Sequence, residues 1–301
     1  MVLLREKVLR SAGIVTLIFG LLVSPLSLQA QDNSQGRYRP EGRQVGLAIG
    51  RAFDERLYEV RTYEPEVSAE AFAGAIVFYP LTLSFDPPNG AVAFVPGFKA
   101  SASAYEWWGP ALASLGYSVF ILETNTPTDA LAARADALIA AVDFIKAENQ
   151  NPDTPVAKKV DPEKIAIMGH SMGGGASLVA ATQMGDNIKA VIPLALYCCE
   201  LGQSFSGDYS SLMVPAMIIA SAEDEVAPPA DHAKLLYDSI GGSKTYVEFA
   251  SGNHSFVSNS GEQKAALGRF VLAFLKDNLD GRNHLEGLDD GGAELNLFLT
   301  E

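Results

Sequence analysis

In the stretch Gly169-His170-Ser171-Met172-Gly173-Gly174-Gly175 one serine stands among four glycines. A serine hydroxyl is a weak nucleophile until a base takes its proton, and the oxyanion formed by its attack needs donors already in place. The spacing G-x-S-x-G supplies both where it bridges a strand and a helix: the glycines relieve crowding, the serine sits strained and exposed, and the helix N-terminus faces the developing charge. The same spacing also occurs as a passive glycine-rich turn. Here it follows the apolar run Ile165 to Met168 and opens an alanine-rich segment, which is the context the chemistry requires.

Four histidines can supply the base. His170 adjoins the serine and would point away from it, and His284 lies in a polar tail. His254, in Ser251-Gly252-Asn253-His254-Ser255, follows the last predicted strand, which places it where an α/β sheet of this kind presents a base; His232, within a predicted helix, is the alternative. An orienting acid should end a strand between serine and base. The run after Ala216 to Ala220 offers Glu223, Asp224 and Glu225, and spacing alone does not choose among them. A second oxyanion donor fits Val95-Pro96-Gly97-Phe98, with the amide of Phe98 joining that of Met172.

The elements that must hold these groups alternate. Strand-like runs at Ala71 to Tyr79, Ala91 to Val95, Tyr117 to Glu123, Ile165 to Met168, Ala190 to Leu196, Ala216 to Ala220 and Thr245 to Phe249 are mostly continuous rather than alternating, as in a sheet covered on both faces. Helix-like segments lie between them: Ser103 to Leu115, a stretch from Thr126-Pro127 to about Ala147 with Thr126 as cap, Met172 to Met184, Pro229 to Ile240 and Glu262 to Asn278. The alternation predicts one α/β domain with a mostly parallel sheet.

The chain has 301 residues, 48% of them hydrophobic and 19% charged, a globular composition. Arg5, Lys7 and Arg10 precede the apolar run Ala12 to Leu22, too short for a membrane span, and predict a secretory signal peptide over 1–30, cut near Ala30. The lead 31–55 is polar, the catalytic domain is expected over 56–279, and an acidic tail over 280–301 is expected to wrap the surface or fray. A net charge of −14 sets nucleic-acid binding aside. Cys198 and Cys199 are adjacent, which excludes a stapled framework; inert buried thiols are expected, with a vicinal disulfide or a contact between chains as alternatives.

With these residues placed, the chain resembles the secreted bacterial cutinases and polyester hydrolases, the group that includes enzymes acting on poly(ethylene terephthalate) (PET). The resemblance runs from about Val60 to Asn278 and rests on Val-Pro-Gly-Phe at 95–98, Trp107-Trp108-Gly109-Pro110, Glu123-Thr124-Asn125, the seven residues 169–175, Asp224 to Pro228 and Asn253-His254-Ser255. It implies an α/β-hydrolase fold without a large lid. It also implies Ser171 as nucleophile, His254 as base and, through the family pattern D-x-x-A-P, Asp224 as the acid. Phe98 and Met172 match the oxyanion positions and line the acyl pocket. Tyr197 stands where the family usually has a tryptophan platform, Val226 on the pocket wall, and His232 where a residue supports the platform. Trp107 and Trp108 match helix packing rather than substrate contacts. The stretch Cys198 to Tyr209 is longer than the usual rim loop, and Ser221 and Phe256 replace a disulfide of some relatives. No cofactor or metal is implied, and the expected partner is an ester or polyester substrate taken by a monomer without stable membrane association. The rival readings are a lipase or general carboxylesterase and, from another class, a non-catalytic adhesion scaffold.

Overall fold

The computed structural model describes residues 40–53, 55–81, 90–200, 208–285, 288 and 294–301. The predicted signal peptide and its cut near Ala30 lie outside the described residues, as do 201–207 of the rim stretch.

Among the described residues one nine-stranded sheet runs in the order β1-β2-β4-β3-β5-β6-β7-β8-β9. Its strands are β1 (Val60–Tyr63), β2 (Gly74–Pro80), β3 (Ala91–Val95), β4 (Ser118–Glu123), β5 (Ile165–His170), β6 (Ala190–Leu194), β7 (Ala216–Ser221), β8 (Lys244–Phe249) and β9 (Leu295–Thr300). β4, β3, β5, β6, β7 and β8 are parallel, while β1 with β2, β2 with β4 and β8 with β9 are antiparallel. This is the α/β-hydrolase fold. All residues of β3 and β5 are buried, which is why those segments read as unbroken apolar runs.

Helices cover both faces. α3 (Leu131–Gln150), α4 (Met172–Met184) and α5 (Ala233–Ser239) contribute Leu138, Val142, Leu178 and Leu236 to one core layer, which also takes Ala93 and Ile167 from the sheet. α1 (Pro40–Ala52), α2 (Trp108–Ala113) and α6 (Lys264–Asp280) contribute Ile49, Leu112, Val271 and Leu275 to the other, with Val92, Phe94 and Met168. Successive side chains of one strand thus enter opposite layers, and each large aliphatic group buried there contributes roughly 1.5–3 kcal/mol.

Four elements differ from the sequence expectations. The polar lead forms α1: Gly42, Gly46 and Gly50 recur every fourth residue, and a Cβ on them would lie 2.4 Å from Pro110 Cγ, 2.2 Å from Ser114 Oγ and 2.9 Å from Leu57 Cδ2. These glycines are a packing face, not a loop signal. The tail, expected to wrap or fray, instead supplies β9, which caps the edge of β8. Thr126 does not cap α3; its hydroxyl donates to Asp129 Oδ1 (2.6 Å) in a turn, and the Pro127 carbonyl is taken by the Lys99 amide and by Arg134. Finally, Ser103 to Leu115 divides into a 3₁₀ turn (Ala102–Tyr105) and α2.

The loops after β3, β5, β6, β7 and β8 all emerge at the carboxyl edge of neighbouring parallel strands. β3 pairs with both β4 and β5, so the chain order reverses there, and it is beside such a reversal that open α/β sheets form a crevice.

Candidate active site

Ser171 ends β5 and precedes α4, with φ +56° and ψ −123°, a left-handed conformation that a non-glycine residue adopts only under constraint. The constraints are visible. Its amide donates to Leu194 O (3.0 Å), and its carbonyl accepts from the Gly174, Gly175 and Tyr197 amides at 2.9, 3.1 and 2.8 Å. Close backbone approach explains the glycines. A Cβ on Gly169 would lie 2.1 Å from Gly173 O, and one on Gly173 would lie 2.5 Å from Pro96 O.

Three side chains distant in sequence meet at this turn. Ser171 Oγ lies 2.8 Å from His254 Nε2, and His254 Nδ1 lies 2.7 Å from Asp224 Oδ2. Asp224 follows β7 and is buried; its Oδ1 accepts from the Val226 and Ala227 amides at 3.0 and 2.8 Å. With that oxygen occupied, Oδ2 is aimed at the imidazole, where a carboxylate can only accept. The proton therefore sits on His254 Nδ1, which leaves Nε2 bare and able to accept from the serine hydroxyl. Glu223 and Glu225, the acids that spacing could not separate from Asp224, are exposed. Glu223 accepts from the Gly252 amide at 3.3 Å.

The loop carrying His254 is anchored downstream. The indoles of Trp107 and Trp108 both donate to Val257 O at 3.0 Å, and the Asn259 amide donates to Ala104 O at 2.8 Å. The tryptophans thus do more than fill the helix interface. On the other side of the serine, Met172 begins α4, so its amide is a helix-end donor. Among the described residues the Phe98 amide has no acceptor. The segment 96–98 is held by the buried Arg134, which donates to Pro96 O (2.9 Å), Pro127 O (2.9 Å) and Asp129 O (3.1 Å). Burial draws its pKa below the usual guanidinium value.

Tyr197 follows β6, half-buried, with its ring 4.4 Å from that of His232 and tilted by 36°. His232 Nδ1 accepts from the Cys198 amide (3.1 Å), and burial pushes its pKa down, which keeps the ring neutral for that role. Cys198 and Cys199 are joined in a disulfide, so the expectation of free thiols does not hold; the alternative of a vicinal disulfide does, directly after Tyr197. A cleft of about 830 Å³ runs along 222–226, Pro228 and 253–255, and takes in Asp224, His254 and the exposed Val226. Phe98, Met172 and Tyr197 are not on its lining. His284 stacks on Phe53, with ring centroids 5.2 Å apart. Among the described residues no group of three His, Cys, Asp or Glu side chains could hold a metal ion.

Sequence reasoning singled out neither Arg134, which holds three main-chain carbonyls, nor the contact between the Tyr105 hydroxyl and His170 Nδ1 at 2.7 Å, side chains 65 residues apart, a pairing that no local pattern encodes.

A hydroxyl held on a strained turn at the end of a parallel strand, with a bare imidazole nitrogen on it and amides beside it, is the equipment of serine-type α/β-hydrolases, which open carboxylic esters through an acyl-enzyme. The model of the PET hydrolase-like family matches residues 54–288, and the chain belongs to that family. It is similar to a bis(hydroxyethyl) terephthalate hydrolase of Streptomyces coelicolor, 30% identical over 94% of this chain and 85% of the relative. Cutinase 2 of Thermobifida cellulosilytica is 34% identical over 70% of this chain and 76% of the relative. Lipase 1 of a Moraxella species is 32% identical over 70% of this chain, which spans 62% of that relative's length. The protein is a carboxylic-ester hydrolase of the serine type.

Proposed function

We propose that this protein hydrolyses polyesters, PET among them, and short to medium acyl esters, with Ser171 as nucleophile, His254 as general base and acid, and Asp224 as the group that fixes the imidazole. His254 Nε2 takes the proton from Ser171 Oγ as the oxygen bonds to the ester carbonyl carbon, and the amides of Phe98 and Met172 receive the oxyanion. Collapse breaks the bond to the alkoxide, which leaves with the proton now on Nε2. Water then gives its proton to the same nitrogen as it bonds to the acyl carbon, and collapse breaks the bond to Ser171 Oγ, which takes that proton back as the acid leaves. Phe98, Met172, Tyr197 and Val226 contact the acyl unit, with the Tyr197 ring as platform.

The observation that carries this reading is the pair of short contacts, 2.8 and 2.7 Å, converging on a serine with φ +56°. The terephthalate hydrolase and the cutinase among its relatives support aromatic and aliphatic polyesters as substrates. We further propose a secreted monomer cut near Ala30; among the described residues no helix is long and apolar enough to cross a membrane. The catalytic unit we assign to 56–279 lies wholly within the family match.

The experiment compares purified wild type with Ser171→Ala on p-nitrophenyl esters of rising chain length and on amorphous PET film. Turnover by the variant should fall by several orders of magnitude. A variant with near wild-type rates refutes the site; wild-type activity confined to short soluble esters refutes the polyester assignment and leaves the lipase or carboxylesterase reading.

A further inference from the structure

His170 precedes Ser171, yet its side chain turns away from the serine and is buried, 5% exposed, between the rings of Tyr105 and His254 at centroid separations of 5.5 and 4.8 Å. Its Nε2 lies 2.9 Å from the main-chain oxygen of His254, and its Nδ1 lies 2.7 Å from the Tyr105 hydroxyl. A carbonyl oxygen can only accept, so Nε2 carries the proton. A neutral ring then has a bare Nδ1, and the Tyr105 hydroxyl must donate to it. That leaves the hydroxyl's lone pairs for the Gly97 amide, which donates at 3.4 Å, the long end of the range. Each bond fixes the sense of the next. The result is a chain of one direction: Gly97 N–H to Tyr105, Tyr105 O–H to His170 Nδ1, His170 Nε2–H to the carbonyl of His254.

The chain joins four segments: the loop after β3, the 3₁₀ turn, the end of β5 and the loop after β8. Among the described residues no other donor reaches the His254 carbonyl. Gly97 leaves room for the junction, since a Cβ there would lie 3.1 Å from His170 Nδ1 and 3.0 Å from Ser171 Cβ. We propose that Tyr105 and His170 are positioning residues, which fix the main chain of His254 relative to the loop carrying the Phe98 amide, so that base and oxyanion donor keep one separation through both acyl-transfer steps. This rests on the assignment of His254 as base made above. Burial, reinforced by the neighbouring His254 and opposed by Asp224, holds the His170 pKa down at about 3. The ring is therefore neutral across the working range, and its donor and acceptor ends do not exchange.

The test has two independent readouts. Imidazole nitrogen NMR of the wild-type protein, from about pH 5 to about pH 9, should show His170 as the Nε2–H tautomer without titration. A proton on Nδ1, or a titrating ring, overturns the proposal whatever the kinetics show. With p-nitrophenyl butyrate, His170→Leu should lower kcat roughly tenfold to a hundredfold with KM within about twofold, as loss of geometry does. His170→Gln, whose amide nitrogen replaces the Nε2 donor, should recover much of that loss, and Tyr105→Phe should lower kcat severalfold. A folded His170→Leu with wild-type kcat, or His170→Gln no better than His170→Leu, overturns it. If His170→Leu does not fold, Tyr105→Phe decides: an unchanged kcat refutes the chain. Failure of the site itself would show separately, as activity retained by Ser171→Ala.

Discussion

At the scale of single residues, the proposed acid shows how local hydrogen bonding singles out one carboxylate of three. Glu223, Asp224 and Glu225 have the same chemistry, but only Asp224 is buried with one oxygen filled by two amides and the other facing an imidazole. Asp224→Asn keeps the shape and loses that logic. Its oxygen would stay with the Val226 and Ala227 amides, its NH₂ would face His254, and the imidazole would move its proton to Nε2, where it can no longer accept from Ser171. A kcat loss of about 10⁴ on a soluble ester, with the fold intact by circular dichroism, is the expected outcome. His170 carries a second consequence, for stability. Its pKa is about 3 in the folded protein against 6.5 for an ordinary histidine. Above pH 6.5 neither state binds the proton and the group has no effect. As pH falls from there, the unfolded chain takes up a proton that the folded one refuses, so the native state weakens by roughly 1.4 kcal/mol per pH unit. Denaturant titrations of wild type and His170→Gln at several pH values should converge in neutral solution and diverge in acid, with wild type losing more.

At the scale of elements, the sequence was most informative where burial is complete. β3 and β5 enter both core layers, so they read as apolar runs and their limits were visible within a residue or two. The same holds for α4, whose glycine-rich start announces the turn before it. What stayed hidden depends on partners far along the chain. α1 read only as a polar lead because glycines weaken an isolated helix, whereas here Gly42 and Gly46 pack against Pro110 and Ala111 of α2. β9, Leu295–Thr300, is half-exposed and follows an acidic segment, and only the open edge of β8 makes it a strand. Ser171, Asp224 and His254 were legible as motifs, whereas Tyr105, His170 and Arg134 were not, since each serves a carbonyl or amide that has no signature in sequence. The β9 contact can be tested by a chain ending before residue 295. Removal exposes the hydrogen-bonding edge of β8, including the Lys244–Glu301 main-chain pair, so a lower melting temperature and concentration-dependent aggregation by light scattering are expected, with soluble-ester turnover per folded molecule nearly unchanged.

For the whole molecule, charge and substrate pull in opposite directions. The chain carries a net charge of −14, and a polyester surface under hydrolysis gathers carboxylates of its own. Repulsion between the two is screened over about 10 Å at 0.1 M salt and about 3 Å at 1 M. Release of soluble acid from PET film should therefore rise with added sodium chloride, while turnover of a neutral dissolved ester changes little. Equal salt responses for film and dissolved ester would show that adsorption is not limited by charge. Ser171, Asp224 and His254 themselves sit at the ends of interior strands, on loops pinned by Arg134, Trp107 and Trp108.

The backbone at position 171 sets the hydroxyl's approach to His254 against the resilience of the chain that bears it. A side chain at φ +56° stores of the order of 1–3 kcal/mol that surrounding packing must offset. Glycine adopts such angles freely, so Ser171→Gly should be inert yet melt at a higher temperature than Ser171→Ala, which keeps the crowded Cβ; equal melting temperatures would mean the turn is relaxed. If the difference appears, the angle at this turn carries a cost in heat tolerance that any residue with a Cβ must bear there, and efforts to toughen the chain must find their gains elsewhere in the sequence.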